Sequence, residues 1–294
     1  MSKLIVNLLG GLGNQMFQYA TAKALAQHKE SVLFLDVEDF KHYELHRFEL
    51  TDVFKLSSFE LAAEKDFRDV LSWQSFQQLR KALKSPKLSW FRNEHYVVEP
   101  FFQYWSNLRG SPANAYLIGY WQSEKYFQDY EDIIRKDFTF IKPLEGLNLQ
   151  LSGQMNQSDS VSLHIRRGDY VSNPETLKTH GVCSLSYYQD AVKFVSGKVA
   201  NPNFYVFSDD IAWAKDHLKI DFPCEYIGHN TGAESYRDMQ LMSICKHHII
   251  ANSSFSWWGA WLDGRNDKIV IAPNQWFANG TNTSDLLPHS WLVL

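Results

Sequence analysis

The chain has 294 residues, 45% hydrophobic and 21% charged, enough to bury two medium cores or one large α/β core and too apolar to stay disordered. A formal net charge of −4 argues against a general nucleic-acid binder, so any anionic ligand must be met by local positive groups. Three scattered cysteines (Cys183, Cys224, Cys245), no CxxC or HExxH and no apolar run of about 18 residues argue against a disulfide framework, a zinc site and a membrane-spanning helix.

The N-terminus, MSKLIVNLLGG, reads as a short apolar run and then a glycine loop rather than a signal peptide, so a cytoplasmic location is expected. Lys3–Leu9 reads as a strand, Gly10-Gly11-Leu12-Gly13 as a turn, Asn14–Gln27 as a helix and Ser31–Asp36 as the next strand. This βαβ opening predicts a parallel, Rossmann-like half. Gly11-x-Gly13 with Asp36 about 20 residues on invites a nicotinamide-enzyme reading, but Met16 occupies the third glycine position. The other readings are a purely structural turn, or a loop that offers Asn14 and Gln15 to a ligand. Phe40–Leu56, with His42, Tyr43, His46 and Arg47, is expected to be a surface loop, and Ser58–Leu83 mostly helix. Val97–Trp105 is aromatic and extended. Tyr116–Gln122 is a strand followed by Ser123 as a helix cap, and Trp121 is a core residue or a stacking surface for a hexose.

Phe138–Asp159 loses periodicity and collects Pro143, Gly146 and Gly153, so the domains are expected to span 1–150 and 151–294. Val161–Ile165 alternates into a strand that runs into Arg166-Arg167-Gly168-Asp169-Tyr170, with His164 and Arg166 on one face. Two guanidiniums at a strand end suit phosphate oxygens, unless both are tied up in ion pairs, with Asp169 among the partners. A loop through Pro174 and Gly181 leads to helix Leu185–Val195, capped by Ser184. Strand Asn203–Phe207 ends in Ser208-Asp209-Asp210 before helix Ile211–Leu218. Either aspartate is a helix cap or a carboxylate matching the N1–H and N2–H₂ edge of guanine. Glu225–Gly228 is a short strand, Glu234–Ile244 a helix, His247–Asn252 a strand and Ser253–Leu262 a helix whose start can hold an anion. Lys268–Ala272 is the last strand. Polar sets at three strand ends describe a pocket with a carboxylate for a base, and cations and hydroxyls for phosphates.

The stretches GGLGNQMFQYATAKAL (10–25), GYWQSEKYF (119–127), LHIRRGDYV (163–171), FSDD (207–210) and NSSFSWWGAWL (252–262) resemble the GDP-fucose-dependent α-1,2-fucosyltransferases of bacteria that decorate surface polysaccharide. The resemblance runs from residue 10 to 262. It implies an α/β, GT-B-like fold of two Rossmann-like lobes with mostly parallel sheets and a cleft between them, the N-terminal lobe on the acceptor side and the C-terminal lobe holding GDP-fucose. It implies inverting transfer of L-fucose from GDP-β-L-fucose to the 2-hydroxyl of a terminal β-galactoside in O-antigen synthesis. Arg166 would bind the donor pyrophosphate, His164 with Asp209 or Asp210 would lie near ribose and guanine, and Ser253, Ser254 and Phe255 would wall the phosphates. Asn14 would face the sugar or acceptor, and Trp121 is the candidate acceptor platform. No cofactor or metal is expected. Asp169 is the candidate general base, or else a partner locking Arg167. No nucleic acid is expected as a partner, and peripheral association with the inner membrane face is compatible with the chain. The alternatives are a non-catalytic GDP-sugar or glycan-binding protein and a nicotinamide-dependent oxidoreductase.

Overall fold

The computed structural model describes residues 1–42 and 46–294, apart from the side chains of Asp169 and Ser172. Tyr43, expected in a surface loop, lies outside the described residues. The chain divides into two compact units, Met1–Ile141 with Asn282–Leu286, and Lys142–Thr281 with Leu287–Leu294.

The first unit is built on five parallel strands, β1 (Lys3–Asn7), β2 (Val32–Asp36), β3 (Phe59–Leu61), β4 (Tyr96–Val98) and β5 (Ala115–Ile118), in the order β3-β2-β1-β5-β4. Leu4, Ile5 and Val6 have no exposed surface, which is why β1 reads as a continuous apolar run rather than an alternating one. Helix Leu12–Lys29 follows β1 directly. Gly10 makes that turn at φ 77°, and a Cβ there would lie 2.7 Å from Asn14 Nδ2, so both backbone and space require glycine. Two expectations change. Ser58–Leu83 starts with edge strand β3, because pairing along β2 overrides local helix preference, and only Glu64–Leu71 and Gln77–Leu83 are α-helical. In the aromatic stretch 97–105, strand pairing stops at Val98. The returning segment 282–286 is fastened through Asp285, which accepts from Tyr104 N at 3.1 Å and pairs with Lys125.

The second unit has six parallel strands: β6 (Asp159–Ile165), β7 (Pro202–Ser208), β8 (Cys224–Ile227), β9 (His247–Ile249), β10 (Val270–Ala272) and β11 (Leu292–Val293). Their order is β11-β10-β9-β6-β7-β8. The chain winds outward from β6 in one direction and from β9 in the other, so the strand order reverses between β6 and β9. The carboxyl ends there are where an α/β sheet of this kind opens a ligand crevice.

The unit boundary falls at Ile141/Lys142 rather than at 150/151. Residues 146–157, expected as linker, form a helix whose Leu151 and Met155 pack with Tyr205, Phe207 and Ile227 of the second sheet. Its exposed leucines, Leu147 and Leu149, had blurred the periodicity. The loop after β6 likewise contains helices Gly168–Ser172 and Pro174–His180. Ser162, His248 and Asp263 form a buried chain, with Ser162 Oγ 2.9 Å from His248 Nδ1 and His248 Nε2 3.0 Å from Asp263 Oδ2. It resembles a hydrolase triad, but its residues are at most 3% exposed, so it staples β6 to β9 and meets no substrate.

Candidate active site

At the carboxyl end of β6, His164 is 6% exposed and its Nδ1 is a buried atom with no hydrogen-bond partner. Burial pushes its pKa down to about 4, against the pull of Asp209, so the ring is neutral near pH 7. Its ring centroid lies 5.9 Å from that of Phe255.

Two residues on, the arginines diverge. Arg166 Nη1 lies 3.0 Å from Asp209 Oδ2, and its guanidinium sits 5.5 Å from the Tyr170 ring centre. Arg167 Nε reaches Asp210 Oδ2 at 3.2 Å, and its guanidinium stacks 3.9 Å over Trp213. Asp209 also accepts from the Arg167 backbone N–H at 2.8 Å, fixing the turn that aims Arg166. The Arg166–Asp209 side chains remain 29% and 25% exposed, accessible to a ligand.

Gly168 leaves room for this packing, since a Cβ there would lie 2.7 Å from Asp209 Oδ2 and the carboxylate would have to shift. Asp210 caps helix Ile211–His217 by accepting from Trp213 N at 3.2 Å. Asp210 is therefore the helix cap, Asp209 is an ion-pair partner rather than a cap, and both arginines pair with the β7 end. Asp169, expected among those partners and as the base, has its side chain outside the described residues.

Next to β6, the end of β9 supplies Asn252, buried at 2% exposure. Its Nδ2 donates to His180 O at 2.9 Å and Trp276 O at 3.2 Å. Ser253 caps helix Ser254–Leu262, accepting from Phe255 N, while Trp257, Trp258 and Trp261 bury the helix as expected. The second unit thus assembles His164, Arg166, Asp209, Asp210, Ser253, Ser254 and Phe255 along adjacent strand ends.

The first-unit candidates behave differently. Asn14 Oδ1 accepts from Gln122 Nε2 at 2.7 Å. Gln15 is wholly buried, donating to Gly10 O and Arg47 O and accepting from Glu49 N, so it fastens loop 46–49 rather than facing a ligand. Asp36, the acid of the dinucleotide reading, is 4% exposed and bound by Tyr116 Oη at 2.6 Å. Trp121 is the clear correction. It has no exposed surface and meets Tyr126 edge-on at 5.6 Å, so it is a core ring and not an acceptor platform in this conformation.

Sequence reasoning missed two carboxylates. Glu99, just beyond β4, accepts from Tyr120 N at 2.7 Å and Trp121 N at 3.0 Å, and burial pushes its carboxyl up to about 7. Asp238 sits in helix Tyr236–Met242 and accepts from Asn230 Nδ2 at 2.7 Å, beyond the β8 end, and burial again pushes it up to about 7. Neither sits in a motif; only their burial marks them.

The two units, each with a parallel sheet, have the GT-B-like fold. The chain superposes on the fucosyltransferase NodZ from Bradyrhizobium with a TM-score of 0.53 at 16% identity, covering 89% of this chain and 93% of that one. It superposes on Arabidopsis thaliana FUT1 in complex with GDP with the same TM-score at 13% identity, covering 99% and 76%.

Sequence takes the assignment further: the chain belongs to glycosyltransferase family 11, whose pattern matches residues 2–293. It is 39% identical to an Escherichia coli α-1,2-colitosyltransferase over 99% of both chains. It is 35% identical to the E. coli O-antigen biosynthesis glycosyltransferase WbnK, over 98% and 99%. The mouse galactoside α-(1,2)-fucosyltransferase 1 is 27% identical, over 90% of this chain and 64% of the mouse protein. The chain is therefore an enzyme that transfers sugars, which excludes the oxidoreductase and the non-catalytic binder.

Proposed function

We propose that this glycosyltransferase moves L-fucose from GDP-β-L-fucose to the 2-hydroxyl of a terminal β-galactoside, with inversion, during O-antigen assembly on the cytoplasmic side of the membrane. The observation that carries the reading is the His164–Arg166–Asp209 cluster at the strand-order reversal of the second sheet. Relatives named for α-1,2 transfer of fucose or colitose support the linkage.

In this reading Arg166 and the helix start at Ser253-Ser254 take the donor pyrophosphate. The acceptor hydroxyl oxygen attacks the anomeric carbon as the bond from that carbon to the β-phosphate oxygen breaks, its proton passing to a base for which Asp169 is the candidate; an α-fucoside forms and negative charge grows on the leaving diphosphate. Fixed donors aimed at that charge favour the transition state over the ground state. Asp209 keeps Arg166 aimed, and neutral His164 adds a ring nitrogen that gains its missing partner from the ligand. Asp210 holds Arg167 in place. Asn14 serves the sugar or acceptor. No metal enters this scheme, so the rate should persist in excess EDTA; complete loss restored by Mg²⁺ would overturn that part.

A second reading of the donor, GDP-colitose, is favoured by the 39% identical relative. Incubation with each GDP-sugar and a panel of β-galactosides, followed by NMR of the product linkage, decides the matter. An α-1,2-fucoside is expected. Transfer only from GDP-colitose would move the reading to the second donor, and a linkage to another hydroxyl would refute both.

A further inference from the structure

From residue 70 to residue 93 the chain has no acidic residue and five basic ones (Arg80, Lys81, Lys84, Lys87 and Arg92), although the protein as a whole carries −4. The same stretch displays Trp90 at 78% exposure, Phe76 at 69%, Trp73 at 55% and Phe91 at 40%. Three of these rings form one cluster, with Trp73 to Phe91 at 5.2 Å and Phe91 to Trp90 at 5.5 Å.

The backbone that carries these rings is tied down by side-chain hydrogen bonds. Gln74 Nε2 donates to Phe91 O at 2.7 Å while its Oε1 accepts from Asn93 N, joining segment Ser72–Ser75 to segment Pro86–Phe91. Arg92 Nε donates to Leu83 O at 2.8 Å, covering the carbonyl end of helix Gln77–Leu83. Arg80 donates to Ser75 O and lies 3.5 Å over Phe67.

Three of the cations are thus spent inside the unit: Arg80 with Glu38, Lys84 with Asp39, and Arg92 on carbonyls. Lys81 and Lys87 are exposed, and Lys81 lies near enough to Asp39 to help hold that carboxyl below its usual range.

Folding gains little by fixing two tryptophans in water, since aromatic rings contribute mainly through the area they bury. Protein interfaces enrich tryptophan but deplete lysine, whereas amphipathic rings beside lysines suit the headgroup layer of a membrane. The chain as a whole is negative, so attraction for an anionic surface has to come from local positive groups such as these, whose stretch is bordered by the acids Asp69 and Glu94.

We propose that the Trp73–Trp90–Phe91 cluster with Lys81 and Lys87 docks the first unit reversibly on an anionic lipid bilayer. No helix among the described residues is long and apolar enough to cross a membrane, so this contact would lie on the surface. The inference does not rest on the reaction proposed above and stands or falls separately from it.

The test is flotation of the full chain with phosphatidylethanolamine–phosphatidylglycerol vesicles and with phosphatidylcholine vesicles, at low and high salt. The wild type should float with the anionic vesicles alone and be released by salt. Lys81→Ala and Lys87→Ala should each lower partitioning about fivefold. Trp90→Ala/Phe91→Ala should lower it about tenfold or more through lost apolar burial, with melting curves unchanged. Unaltered flotation of these variants, or no flotation of the wild type, would overturn the proposal. So would a wild-type dimer that the aromatic variant splits while vesicle binding is absent, which would assign the face to a second copy.

Discussion

Each unit is built on its own parallel sheet, but the two treat the polar groups at their strand ends in opposite ways. In the first, Gln15 spends its amide on three backbone partners without reaching solvent, and Gln18 ties Leu9 N to Gly119 O. In the second, Arg166 and Asp209 stay partly exposed and His164 keeps a buried nitrogen without a partner. A polar group that the fold satisfies contributes stability; one that the fold leaves open is ready for a ligand. Sequence motifs of equal prominence can therefore have different uses.

The largest expected effect tests the open region. Arg166→Ala should lower kcat by about 10²–10³-fold, roughly 3–4 kcal/mol, with little change in GDP affinity, as for loss of one preorganised donor. Arg166→Lys should be nearly as poor, because the planar fork is lost. Arg167→Ala should act through melting temperature, since that guanidinium lies on Trp213. Steady-state kinetics and GDP titration check this, and near-normal turnover of Arg166→Lys would remove Arg166 from the mechanism.

Gly168→Ala comes next. Its Cβ would press on Asp209 Oδ2, so Arg166 should lose its aim, at up to about 10²-fold in kcat for a displacement near 1 Å. Asp209→Asn should reproduce the defect in part; a fully active Gly168→Ala would break the link between the turn and the reaction.

Gln15→Ala should do the reverse, costing about 2–3 kcal/mol in chemical denaturation through lost buried hydrogen bonds, with GDP affinity intact. A selective loss of GDP affinity would instead put this loop in the site.

The smallest effect is in pH dependence, and its sign differs between the regions. His164 is depressed to about 4 from 6.5, so between those values the unfolded chain binds the proton more readily. Its contribution is fully present above pH 6.5 and is lost as pH falls towards 4. Glu99 is raised to about 7 from 4.5, so its contribution is present at low pH and is lost as pH rises through 7. Melting curves across pH 4–8 for His164→Gln and Glu99→Gln should flatten opposite ends of the profile, and identical profiles would remove the distinction.

The sequence by itself determined the alternation of strands and helices, the strand ends at Arg166, Asp209 and Ser253, and the burial of the Trp257–Trp261 helix. These follow from local periodicity and capping, which the chain carries within a few residues. It left open whether Asp209 and Asp210 cap a helix or pair with the arginines, and whether Trp121 is exposed or buried. Those outcomes depend on contacts across many residues: Arg166 to Asp209 across β6 and β7, and Trp121 on Tyr126 within the first core. The helix at 146–157 was hidden for a related reason, since the apolar side chains that seat it, Leu151 and Met155, pack on a sheet formed later in the chain, and Asn148 bonds to Asn230 beyond β8. Glu99 and Asp238 are single acids in unremarkable stretches, and only tertiary burial raises their affinity for a proton. Periodicity is a local property of the chain; desolvation and pairing belong to the packed fold, so they were settled there.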